Sequence, residues 1–80
     1  MFVNIFVESP LMDEVVQALG KLDDLVALYE VTGEFDIVTL FSASDVEEFR
    51  DVLENKIMKI QGVKRTVSSM VLKVHKLPGR

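Results

Sequence analysis

The chain has 80 residues, 49% of them hydrophobic and 28% charged, and a formal net charge of −4 from 13 acidic and nine basic residues. That makes one globular domain, not a disordered chain, and its acidity disfavours direct contact with phosphate backbones. With no cysteine there is neither a disulfide nor a thiolate zinc site, so a small apolar domain points to oligomerisation as its stabiliser.

Residues 2–8, FVNIFVE, read as a strand rich in β-branched and aromatic side chains. Ser9 and Pro10 then mark a helix start, Ser9 as N-cap and Pro10 in the first turn, with Asp13 and Glu14 at the positive end of the dipole. Leu11, Val15, Leu19 and Leu22 form its apolar stripe, and Gly20 is the expected terminator. Residues 25–32 and 36–42 predict two strands, and Gly33 to Phe35 between them predict an antiparallel hairpin. Ser44 to Glu47 is a capping-box signature for a second helix, whose stripe is Val46, Phe49, Leu53, Ile57 and Ile60. Gln61-Gly62-Val63 closes that helix, residues 64–75 predict a fourth strand, and KLPGR is a tail.

The order βαββαβ implies an α+β, ferredoxin-like fold: a four-stranded antiparallel sheet with both helices on one face. In the first strand Val3, Ile5 and Val7 alternate with Phe2 and Phe6, and in the third Ile37 and Phe41 oppose Val38 and Leu40. Both sheet faces are therefore apolar, whereas a wet face alternates apolar with polar. The uncovered face predicts a dimer packed sheet against sheet, with Val3, Ile5, Val38, Leu40, Val67 and Val71 as candidates for burial.

Catalysis finds little support, and no enzyme activity, metal or cofactor is expected. The single histidine, His75, sits between lysines at the end of the last strand and reads as solvated. Asp45, Glu47, Glu48 and Asp51 read as the solvent face of the second helix, and Asp23-Asp24 as a polar loop. No helix-turn-helix, zinc-finger spacing, membrane-length apolar run or secretory leader is found, so a cytoplasmic protein without nucleic acid or membrane partners is expected.

Binding of a free amino acid suits the residues better. Gly33 lets backbone approach closely, Glu34 or Asp36 can receive an ammonium, and Thr66 and Ser68 offer two hydroxyls on one face of the last strand. The plainer alternative stays open: Gly33-Glu34-Phe35-Asp36 as a turn only, and the hydroxyls as strand-compatible polar residues.

VTGEFDIVTLF, DVEEF and IQGVKRTVSSMVLK together resemble, over essentially the whole chain, the RAM (regulation of amino-acid metabolism) domain, the effector-binding half of Lrp/AsnC regulators. The resemblance rests on Gly33-x-x-Asp36 and Gly62-Val63-x-Arg65-Thr66-x-Ser68. It implies a dimeric α/β barrel whose dimers assemble into rings, commonly octamers, with a small amino-acid effector bound between dimers. The implied ligand residues are Gly33, Glu34, Phe35, Asp36, Val63, Arg65, Thr66 and Ser68. Such regulators usually carry an N-terminal DNA-binding domain that this chain lacks, so a stand-alone RAM domain over residues 1–80 is expected, with full-length Lrp/AsnC regulators as potential partners. Three other readings compete: a ligand-free structural scaffold, a small dimeric α/β-barrel enzyme of the monooxygenase type, and the ACT-domain sensor. The last usually places its glycine after the first strand, where this chain has Ser9-Pro10.

Overall fold

The structure, a computed structural model describing residues 1–78, runs β1 (Phe2–Val7), α1 (Met12–Gly20), β2 (Leu25–Glu30), β3 (Ile37–Phe41), α2 (Val46–Asp51) and β4 (Val63–Ser69). A 3-10 turn, Ser9–Leu11, precedes α1, and a π-helical stretch, Val52–Ile57, continues α2. The strands order as β2-β3-β1-β4, every pair antiparallel. This is the expected ferredoxin-like sheet. The end of the KLPGR tail, Gly79 and Arg80, lies outside the described residues.

The core lies between the sheet and the helices. Val3, Ile5 and Val7 of β1 and Ile37 and Phe41 of β3 bury their side chains against Val15, Leu19, Phe49, Val52 and Ile57. Thr39 points into the same layer, and its hydroxyl donates to the Val3 carbonyl at 2.9 Å, which satisfies a fully buried polar group. The opposite face carries Phe2, Phe6, Val38, Leu40, Val67 and Tyr29, all partly or largely exposed in the single chain. Of the six burial candidates, Val3 and Ile5 are buried under the helices, while Val38, Leu40 and Val67 are half-buried on the open face. Val71 lies beyond the strand and is exposed.

Several boundaries differ from the sequence reading. Ser9 caps nothing: Leu11 is the N-cap of α1, because the Leu11 N–H already donates to the Glu8 carbonyl at 2.8 Å in the 3-10 turn. Gly20 ends α1 without positive φ; Lys21 and Leu22 close the helix through 3-10-type bonds to Ala18 and Leu19. The second cap moves one residue along. Asp45 accepts the Glu48 N–H at 2.7 Å, and Glu48 reaches back to the Ser44 N–H and hydroxyl. The π stretch alters the second stripe: Met58 donates to Leu53, five residues back, so Val52 is buried, Val46 is 51% exposed and Leu53 is only half-buried.

Candidate functional site

The hairpin is wider than three residues. Ladder pairing stops at Glu30↔Ile37, and Val31 donates to the Asp36 carbonyl at 3.0 Å. Asp36 turns toward β1 instead of extending β3. Its N–H donates to the Ile5 carbonyl at 3.1 Å, and its carboxylate Oδ2 accepts the Val7 N–H at 2.8 Å. The hairpin is thereby tied to the end of β1. Gly33 has φ +112° with open space around the position of a side chain, so backbone conformation alone demands glycine. Glu34 is exposed.

Two aromatic contacts extend this end of the sheet. Phe35 meets Phe6 edge-on, with ring centroids 5.1 Å apart, and the Arg65 guanidinium of β4 lies 5.0 Å from the Phe6 centroid. Phe6 is opposite Arg65 in the ladder, which places both on the open face. Phe6 therefore joins the hairpin to β4. The sequence showed it only as one apolar residue of the first strand.

The hydroxyls do not join this cluster within one chain. Thr66 is opposite Ile5 and Ser68 opposite Val3, both partners buried beneath the helices, so the hydroxyls project on the helix side of β4. The Thr66 hydroxyl lies 3.5 Å from the Met58 sulfur. Val63 is half-buried against the core. One β-bulge separates Thr66 and Ser68 from Val63 at the start of β4, since Val7 pairs with Val63 and Phe6 with Arg65. Gly33, Glu34, Phe35, Asp36 and Arg65 thus gather at one end of the sheet, whereas Thr66 and Ser68 occupy the other side of its edge strand.

Gly62 has a structural part that spacing alone did not reveal. Its φ is +104°, and a β-carbon there would lie 2.8 Å from both the Leu11 Cβ and the Val15 Cγ2. Its carbonyl accepts the Glu8 N–H at 2.9 Å. The glycine lets β4 start flush against α1. His75 lies in the irregular segment after β4 and lines, with Phe2, Leu40 and Tyr29, a groove of about 720 Å³ on the open face. None of the eight expected ligand residues lines it. Among the described residues no three histidine, aspartate or glutamate side chains cluster as metal ligands, and no helix is long and apolar enough to cross a membrane.

A family model described as the Lrp/AsnC ligand binding domain matches residues 1–80. The HTH-type transcriptional regulator FL11 of Pyrococcus furiosus is 36% identical over 75 residues, covering 94% of this chain and 49% of the regulator. The chain spans about half the length of the curated relatives it matches. Among solved structures, TTHA0845 from Thermus thermophilus superposes with a TM-score of 0.88 at 30% identity, over 95% of each chain. The transcriptional regulator NMB0573 of Neisseria meningitidis, solved as its L-Met complex, superposes with a TM-score of 0.89 at 20% identity, over 95% of this chain and 51% of its own.

Proposed function

The chain belongs to the Lrp/AsnC ligand-binding domain family, and from that membership we propose an amino-acid-sensing oligomerisation module that binds a small amino-acid effector between dimers. The observation that carries this reading is the hairpin. Asp36 is anchored to Val7 through Oδ2, and its other carboxylate oxygen has no hydrogen-bond partner among the described residues. A carboxylate held in this way is pre-organised for an ammonium group, at no further cost in side-chain entropy. The L-Met bound to the Neisseria regulator is a ligand of the proposed kind.

The separation of hairpin and hydroxyls supports a site shared between copies. The hairpin of one copy receives the ammonium while Thr66 and Ser68 of another meet the carboxylate. Dimers form through the apolar open face, and dimers assemble further, up to an octameric ring. Effector binding then shifts the assembly, alone or in mixture with full-length regulators of the family, inside the cytoplasm. The relatives are transcriptional regulators, which supports a regulatory and not a catalytic part for this chain.

A thermal-shift screen of the twenty amino acids tests the proposal. A ligand at one hundred times its dissociation constant adds about 2.7 kcal/mol, which for a domain of this size raises the midpoint by on the order of 10 °C. A rise with one or a few amino acids is expected. No rise with any of them leaves the ligand-free scaffold as the correct reading.

A further inference from the structure

In the arrangement proposed above, each copy contributes to two effector sites: its hairpin to one, and Thr66 and Ser68 to the other. Within one copy these two half-sites do not touch. Phe6 lies between them. Its ring meets Phe35 of the hairpin at a centroid distance of 5.1 Å, and the Arg65 guanidinium of β4 lies 5.0 Å from its centroid. Thr66 follows Arg65 directly, so its hydroxyl projects from the other side of the same strand. The backbone on either side of Phe6 also holds the hairpin. The Ile5 carbonyl accepts the Asp36 N–H at 3.1 Å, and the Val7 N–H donates to the Asp36 carboxylate at 2.8 Å.

Both half-sites are set in backbone that can give. The register of β1 and β4 slips between Phe6 and Val7, which leaves Lys64 out of the ladder. A displacement of β4 around Arg65 therefore breaks fewer bonds than one in mid-ladder. On the other side, residues 31–34 of the hairpin are exposed, the setting in which backbone order is weakest. An effector on Thr66 and Ser68 fixes β4 and with it the guanidinium on the Phe6 ring. The ring then holds Phe35, and the hairpin is already ordered when a second effector arrives. Ordering costs that effector less, so it binds more tightly, and linkage makes the effect equal in the reverse direction.

We propose that Phe6 is a positioning residue that couples the two effector sites to which each copy contributes, so that the assembly binds its effector with positive cooperativity. The inference rests on the shared amino-acid site proposed above and adds the link between sites. Where two copies meet about a two-fold axis, the hairpin of each faces the hydroxyls of the other, and the coupled sites form a pair. A coupling factor of about five, the lower end for such effects, is about 1 kcal/mol. One aromatic pair supplies that much.

Titration calorimetry tests it on the assembled wild type, Phe6→Leu and Phe6→Tyr, with sedimentation confirming the same assembly for each. The probe is L-methionine, the ligand of the Neisseria relative, or whichever of the twenty amino acids raises the thermal midpoint. Leucine fills the position without a ring; tyrosine keeps the ring. The wild type and Phe6→Tyr should bind the second effector about fivefold or more tighter than the first, whereas Phe6→Leu should bind both with one affinity. A merely structural part for Phe6 would change stability or overall affinity and leave the ratio between the sites alone. If Phe6→Leu does not assemble, Phe35→Leu cuts the same link from the hairpin side and should abolish the ratio. A wild type whose sites bind independently, or a leucine variant as cooperative as the wild type, overturns the coupling and leaves the effector reading standing. No binding by any of the twenty overturns both.

Discussion

Asp36 accepts the Val7 N–H through one carboxylate oxygen, which fixes the hairpin to β1 before any ligand arrives. Asp36→Ala removes a charge-assisted bond and strands a half-buried N–H, so it should cost about 1–3 kcal/mol in urea denaturation. Asp36→Asn keeps an oxygen acceptor for Val7 and should retain most of that stability. It discards the charge that would face an ammonium, so calorimetry should show affinity at least thirtyfold weaker, about 2 kcal/mol or more. The two variants separate the structural part from the ligand part. The glycines also differ. Gly33→Ala meets only its positive φ, worth about 1–2 kcal/mol, whereas Gly62→Ala also drives its β-carbon to 2.8 Å from Leu11 and Val15. Overpacking adds about 1–3 kcal/mol, so Gly62→Ala should lower the thermal midpoint clearly more than Gly33→Ala. The positions of both glycines were legible in the sequence, but the neighbour that makes Gly62 the stricter one was not. Phe6 was illegible as a site residue for the same reason: its contacts with Phe35 and Arg65 exist only once three strands are paired.

The order and type of all four strands and both helices follow from alternation, helical spacing and turn residues. Where the reading slipped, a tertiary contact displaced a local preference. Asp36 leaves β3 because β1 offers it an N–H, and the strand signal of residues 70–75 outlasts its neighbour β1. The second stripe skips Val46 and takes in Val52 because a π turn shifts the register, and no side-chain periodicity announces such a turn. Asp45, not Ser44, accepts the Glu48 N–H; Asp45→Ala should cost about 1 kcal/mol of stability, read by chemical denaturation, as N-cap losses do. The α1–β2 loop is pinned to the π stretch by Lys56 Nζ, 3.1 Å from Asp24 Oδ2. That hydrogen bond, and then the charge of Asp24, raises the lysine above its usual 10.5. A raised folded-state value means the contribution is complete below 10.5 and lost as pH climbs through the folded value. As pH rises above about 10.5, the unfolding midpoint of the wild type should therefore fall more steeply than that of Lys56→Met.

Charge runs along the chain in one direction: every acidic residue lies at or before Glu54, and seven of the nine basic residues lie at or after Lys56. The helices present an acidic outer layer through Asp13, Glu14, Glu47, Glu48, Asp51 and Glu54, all exposed, while β4, with Lys64 and Arg65, and the segment after it, with Lys73 and Lys76, are basic. With a net charge of −4 and no reading head within these residues, the 80-residue chain should show no sequence-specific DNA binding at physiological salt in a gel shift. The regulatory output proposed above would then need a partner surface, for which the apolar open face with its hairpin end is the candidate. Whether that assembly senses an amino acid is most directly read by NMR, following every backbone amide of the assembled protein during titration with each of the twenty. Saturable shifts at Gly33, Glu34, Phe35 and Asp36, together with Thr66 and Ser68, are the predicted result. Amides that stay still with all twenty, or that move only around Phe2, Tyr29 and Leu40, would contradict it.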